Sequence, residues 1–124
     1  MNTKQVIVIR KDLKMRRGKE CAMASHSSMS FLTKRIISNP VSFKLNEAEV
    51  HWINNSFRKI TCVVSGEKEL LEIHQKALDL GLESHIILDN GATEFGGVKT
   101  YTAVAIGPDW DERVDLVTKD LVLY

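Results

Sequence analysis

The sequence has few of the residues that mark disulfide-rich, metal-binding or membrane-spanning proteins. Its 124 residues include only two cysteines, Cys21 and Cys62, which form no CxxC pair, and none of its four histidines has the H-x-x-x-H spacing. Neither a redox motif nor a metal site is therefore indicated, and we expect both cysteines to be buried as small apolar residues. No apolar run approaches the roughly 20 residues of a membrane helix, and no signal-peptide pattern opens the chain. A cytoplasmic protein is expected.

Net charge is also small, at +1, but it conceals an uneven distribution. The first 60 residues carry 12 Lys and Arg against 4 Asp and Glu, whereas the remaining 64 residues carry 5 against 12. Such a division predicts one cationic face that attracts a polyanion. It does not distinguish RNA from DNA or from anionic metabolites.

Hydrophobic patterning predicts a single α/β domain over residues 1–124. The expected architecture has three α/β/α layers, with helices on both faces of a small mixed four-stranded sheet. Strand-like segments rich in β-branched residues cover 4–9, 59–64, 84–88 and 100–106. Helical segments cover 19–38, 46–53, 65–80 and 109–119, the last capped by Asp109. On the first helix, the spacing of Ala22, Met29 and Ile36 predicts the face that packs against the sheet.

A basic loop connects the first strand to the first helix. It lies at the carboxyl end of a strand and before a helix amino terminus, two places where anions bind in α/β proteins. Phosphate is therefore the expected ligand, although a basic run can also be only a solvated loop. Gly18-Lys19 is not a P-loop, because the earlier glycine and the following Ser or Thr are missing. The candidate phosphate contacts are Arg10, Lys11, Lys14, Arg16 and Arg17.

Several motifs in order make the chain resemble the archaeal and eukaryotic type of peptidyl-tRNA hydrolase over nearly its full length. They are the first strand leading into Arg10-Lys11-Asp12-Leu13-Lys14-Met15, then Gly18-Lys19 through Ser25-His26, Asp89-Asn90-Gly91-Ala92-Thr93, Thr102 through Pro108, and Val114 through Leu121. The resemblance implies hydrolysis of the ester between a peptide and tRNA, without metal or organic cofactor. It also implies that the protein is a homodimer. The expected binding partner is peptidyl-tRNA, and neither DNA nor a membrane is expected to be one.

The resemblance further implies five catalytic residues, each of which has a simpler interpretation. Asp89 is expected to orient or deprotonate water, although Asp is also a common turn residue. Lys19 is expected to bind phosphate or to neutralise charge in the transition state; otherwise it is a surface lysine at a helix start. Thr93 and Thr102 are expected to hydrogen-bond water or the ribose, unless they are ordinary loop and strand residues. His26 is either a general base or a structural histidine.

The chain also departs from the pattern of that family. Met23 stands where glutamine is usual, Asn90 where alanine is frequent, and Thr118-Lys119 where a Thr-Gly step is frequent. Because methionine lacks the donor and acceptor of an amide, a non-catalytic RNA- or protein-binding module is an alternative to the enzyme. A dimeric interaction protein is a weaker one. Trp52 and Trp110 either stack a terminal base or fill core or interface.

Overall fold

The computed structural model describes residues 1–124 and consists of a five-stranded sheet with two helices on each face. A short 3-10 turn at Lys11–Leu13 follows the first strand. The strands are β1 (Thr3–Arg10), β2 (Lys59–Val64), β3 (Ser84–Asp89), β4 (Thr100–Trp110) and β5 (Val122–Leu123). The helices are α1 (Arg17–Ser38), α2 (Glu47–Asn54), α3 (Glu67–Asp79) and α4 (Asp111–Thr118). None of these helices combines the length and the hydropathy that a membrane span requires.

The strand order β3-β4-β1-β2-β5 confirms the mixed sheet and corrects its strand number from four to five. β1 and β2 are parallel, while β4 lies antiparallel between β1 and β3. β1 and β3 therefore run in the same direction, so Arg10 and Asp89 end their strands at the same edge of the sheet. The additional strand β5 has two residues and pairs only with β2, a tertiary contact that its short sequence does not signal.

Both faces of β1 are buried, as its continuous apolar sequence predicts. Alternate residues point to opposite faces of a strand, and the core divides accordingly into two clusters. Val6 and Val8 belong to a cluster of 11 buried residues that includes side chains of α3 and α4. Ile7 and Ile9 belong to a cluster of 6 buried residues that includes Met23 of α1.

The predicted buried face of α1 is wrong. Ala22 is exposed, Met29 is 56% exposed and Ile36 is half-buried, whereas Met23 and Phe31 are buried. The face that meets the sheet also contains Ser28, whose hydroxyl donates to Oε1 of the fully buried Gln5 at 2.6 Å. Gln5 donates in return to the carbonyl of Ser28 at 2.9 Å. Because these small polar side chains satisfy one another, they allow close packing that hydrophobic periodicity cannot detect.

The fourth strand is also longer than predicted. β4 continues past Gly107 and Pro108 to Trp110, and α4 begins at Asp111 rather than at Asp109. The β1–β4 ladder shifts its register between Lys4 and Val6, which accommodates the two turn residues before pairing resumes. A glycine and a proline therefore interrupt this strand without ending it.

The two cysteines have different environments. Cys62 is buried in β2, as expected, but Cys21 is exposed on α1, so that prediction is wrong. Cys21 lies in a shallow groove beside Tyr124, because α1 covers β1, β3 and β4 and leaves this side of β2 and β5 open.

Candidate active site

Lys19, Asp89 and Thr93 meet in one cluster at the edge where β1 and β3 end. Lys19 lies in the first turn of α1, and its Nζ donates to Asp89 Oδ1 at 3.0 Å and to Thr93 Oγ1 at 2.7 Å. The side chains of Lys19 and Asp89 are each 12% exposed. An ammonium group has three N–H donors. One donor of Lys19 therefore remains for a further acceptor.

The contact with Lys19 keeps Asp89 ionised. The hydrogen bond from Lys19 lowers the pKa of Asp89 below its ordinary value, against the opposing effect of burial. The N–H of Gly91 and the charges of Lys19 and His26 lower this pKa further. Asp89 is thus a carboxylate at neutral pH and acts as an acceptor only.

The loop between β3 and β4 has a shape that depends on Gly91. Asp89 Oδ2 accepts the N–H of Gly91 at 2.9 Å, and the carbonyl of Gly91 accepts the N–H of Gly97 at 2.8 Å. Gly91 has a φ of +79°, and a Cβ placed on it would lie 2.1 Å from the carbonyl oxygen of Val98. This position therefore requires glycine, and the resulting turn brings Thr93 to Lys19.

Two residues of the same loop contact α1 and were not recognised from the sequence. Glu94 Oε2 accepts the backbone N–H of Arg16, the residue that precedes α1, at 3.2 Å. Phe95 packs against the second core cluster, and Lys19 Nζ lies 5.8 Å from the centre of its ring. The sequence around Glu94 and Phe95 does not indicate that this loop contacts α1, because the contacts join residues more than 70 positions apart.

Thr102 and His26 do not join the cluster by direct contact. Thr102 is completely buried, and its hydroxyl lies 3.5 Å from the carbonyl of Ile87. It occupies a register shift, where Ile87 pairs with Ala103 and Leu88 pairs with Tyr101. His26 is exposed on α1, and its charge influences Asp89 without a hydrogen bond.

The basic loop forms an exposed cationic rim beside the cluster, with one exception. Arg10 is buried, because its guanidinium forms two hydrogen bonds to Asp12, at 3.1 and 2.7 Å, and one to the carbonyl of Tyr101 at 3.0 Å. Arg10 therefore stabilises the loop and is not placed to contact RNA. We define the cationic rim as the four exposed side chains Lys11, Lys14, Arg16 and Arg17.

The remaining candidates lie in the core or away from the cluster. Met23 is buried among the apolar residues of the second cluster, together with Met15 and Ile9. Trp52 is 2% exposed and packs edge-on against Phe31, as core tryptophans do. Trp110 is half-buried and packs against an imidazole ring. No group of three or more His, Cys, Asp or Glu side chains is arranged to hold a metal ion.

Comparison with known proteins identifies the family. The model of the family described as Peptidyl-tRNA hydrolase PTH2 matches residues 3–124. Proteins named peptidyl-tRNA hydrolase from Methanococcus maripaludis and Methanopyrus kandleri are 42% and 38% identical, covering 96% and 97% of this chain and 97% of each relative. A probable peptidyl-tRNA hydrolase 2 from Dictyostelium discoideum is 36% identical, covering 98% of this chain and 54% of that relative.

Among solved structures, a protein of unknown function from Agrobacterium superposes with a TM-score of 0.62 at 12% identity, covering 100% of this chain and 98% of that one. This likeness supports the fold alone. The family match and the sequence relatives go further, and they agree with the resemblance carried by the loop and helix motifs. The chain belongs to the PTH2 family of peptidyl-tRNA hydrolases.

Proposed function

We propose that this protein hydrolyses the ester that joins a peptide, or an N-blocked amino acid, to tRNA, and so releases free tRNA. Family membership supports the reaction, and the contact of Lys19 with both Asp89 and Thr93 supports the location of the site. Residues 1–124 act as a single domain in this proposal. Because the substrate is a product of translation, the reaction belongs in the cytoplasm.

The cluster can supply two of the requirements for ester hydrolysis. The tetrahedral intermediate carries negative charge on the attacked carbonyl oxygen, and the third N–H of Lys19 is available to stabilise it. Asp89 holds the ammonium group in place and can accept a hydrogen bond from the attacking water. Thr93 accepts from Lys19, so its own O–H is free to donate to the ribose or to water.

The lowered pKa of Asp89 argues against this carboxylate as the proton acceptor. A general base works best when its pKa lies near the operating pH. The pKa of Asp89 is instead lowered, further away from neutral pH. We therefore assign Asp89 to positioning of Lys19 and water. His26 is exposed on α1 seven residues after Lys19, which places both on the same side of the helix, and it is the residue that we assign to proton transfer.

The cationic rim is the proposed contact with tRNA. Lys11, Lys14, Arg16 and Arg17 are exposed at the end of the molecule that holds the cluster, so bound phosphates would lie near the ester. Such contacts add affinity that is independent of base sequence and sensitive to salt.

We also propose that the protein is a homodimer. The family resemblance motivates this, and exposed apolar side chains on α1, including Met29 and Ile37, provide surface for such a contact. Sedimentation velocity of the wild type and of Met29→Glu tests it. A wild-type dimer that becomes a monomer in the variant is the expected result, and a monomeric wild type at micromolar concentration would contradict it.

The experiment for the proposed reaction incubates the pure protein with tRNA esterified to an N-acetylated amino acid. Free tRNA with an intact 3′ end and the free N-acetylated amino acid are the expected products. Lys19→Ala should abolish release, whereas Lys68→Ala, which removes one positive charge from an exposed position on α3, is the matched control and should keep full activity. Binding of the charged tRNA without release of products would contradict the enzyme and identify a non-catalytic binding module.

A further inference from the structure

One side of β3 is an open strand edge that ends at the catalytic cluster. β3 is the first strand in the sheet and pairs only with β4. None of the hydrogen bonds outside the helices and strands involves the main chain of Ile86 or Leu88. The edge also carries no lysine, arginine or proline, the residues with which proteins commonly block strand pairing.

The direction of the free groups follows from the bonds that β3 does form. Glu83, next to the strand, accepts the N–H of Gly107, and Ile87 lies with its carbonyl 3.5 Å from the Thr102 hydroxyl, so both point toward β4. Main-chain groups of successive residues in a strand point to opposite sides. The N–H and C=O of Ile86 and Leu88 therefore point outward.

We infer that this edge binds the peptide part of the substrate as an added strand parallel to β3. The inference rests on the proposed function and names a subsite for it. β3 runs into Asp89, which contacts Lys19, so a peptide that follows β3 in the same direction delivers its C-terminal carbonyl toward the cluster. The 49% exposed side chain of Leu88 offers apolar contact beside that path.

Main-chain pairing also fits the chemistry of the substrate. A peptide released from translation has no fixed sequence, and strand addition binds through the backbone, which all peptides share. In a parallel pair, one residue of the added strand donates to one carbonyl and accepts from the N–H two residues later. A single residue of the peptide would thus bridge the C=O of Ile86 and the N–H of Leu88, and its two neighbours would not.

The first test compares substrates of different length on the wild-type protein. The ratio of kcat/KM for tetrapeptidyl-tRNA to kcat/KM for N-acetyl-aminoacyl-tRNA should exceed one by roughly two- to tenfold for each main-chain hydrogen bond. Two further substrates carry an N-methyl group on the second or on the third residue from the ester. One of these methyl groups should abolish the increase in kcat/KM that the longer peptide gives, and the other should leave it unchanged. A ratio of one, or equal effects of both methyl groups, would overturn the inference.

The second test removes one outward N–H from the protein. Leu88→Pro deletes the donor at a site where no ladder bond is lost, whereas Leu88→Val keeps it. The long-to-short ratio should fall toward one in the proline variant and remain near the wild-type value in the valine variant. If Leu88→Pro lowered kcat/KM by the same factor for the long and the short substrate, the inference would be contradicted. Should the proline variant not fold, the methylated substrates on wild type still decide.

A different occupant of the edge would give a different pattern. If β3 of a second copy covered it, the wild-type ratio would be one, and Leu88→Pro would dissociate a dimer in sedimentation. That result would overturn the peptide subsite while the short substrate was still hydrolysed. Failure to hydrolyse either substrate would instead contradict the proposed function.

Discussion

Nζ of Lys19 lies 3.0 Å from a carboxylate oxygen of Asp89, although the two residues are 70 positions apart. The contact joins the start of α1 to the end of β3, and Thr93 completes it from the following loop. The stability of the fold, the shape of the loop after β3 and the proposed chemistry all depend on this contact.

The stability of the fold should depend on the ionisation of Asp89. Its pKa is lowered in the folded state, so its hydrogen bonds stabilise the protein above about pH 4 and this contribution is lost as the pH falls through the folded-state pKa. Asp89→Asn should lower the free energy of unfolding by about 1–3 kcal/mol at pH 7. Urea titrations between pH 3 and 7 measure this difference, which should shrink below pH 4. A difference that does not vary with pH would contradict it.

Gly91→Ala should distort the loop that carries Thr93. The added Cβ would lie within 2.1 Å of the Val98 carbonyl oxygen, and the positive φ adds about 1–2 kcal/mol of strain. Thermal unfolding should show a lower Tm, and turnover should fall because Thr93 leaves Lys19. Gly18→Ala, where a Cβ meets open space in the first turn of α1, is the matched control and should leave Tm equal or higher. Equal losses of stability in both variants would argue against this role of Gly91.

Glu94 should act as a positioning residue through its bond to the N–H of Arg16. Glu94→Ala removes the acceptor that fixes the start of α1, and kcat should fall about tenfold since catalysis is sensitive to small displacements. Glu94→Gln keeps an acceptor, so its kcat should be close to that of the wild type. Its KM should decrease, because Arg16 loses a nearby negative charge. If both variants lose kcat to the same extent, the charge of Glu94 matters and the bond does not.

Binding of uncharged tRNA should weaken steeply with salt. With four phosphate contacts from the cationic rim, the slope of log K against log salt concentration should be about −3 to −4. Arg17→Ala should reduce the magnitude of this slope by about 1, whereas Lys68→Ala should not change it. Filter-binding or fluorescence titrations at several salt concentrations provide the values. A slope that is unchanged in Arg17→Ala would place the RNA elsewhere.

The architecture and the meeting of Lys19 with Asp89 were predictable, because strands that run in the same direction end at one edge of a sheet. What failed depends on contacts between distant residues. Arg10 is buried because the carbonyl of Tyr101, 91 positions away, accepts from its guanidinium in addition to the nearby Asp12, and Thr102 is buried at a register shift of the β3–β4 ladder. Neither the contact of Arg10 with Tyr101 nor the register shift has a local signature. The buried face of α1 was missed because Ser28, which pairs with Gln5, looks polar in a periodicity analysis.

The most direct test of the site is a double-mutant cycle on Lys19 and Asp89 under single-turnover conditions with N-acetyl-aminoacyl-tRNA. Lys19→Ala should reduce the rate of ester cleavage by about 10²–10³-fold, the loss typical of one oxyanion donor. Asp89 is proposed to hold Lys19 and to accept a hydrogen bond from water, and asparagine keeps an oxygen for the second role. Once Lys19 is absent, adding Asp89→Asn should therefore cause little further loss. Losses that multiply in the double variant would show that the two residues act independently and would contradict the account.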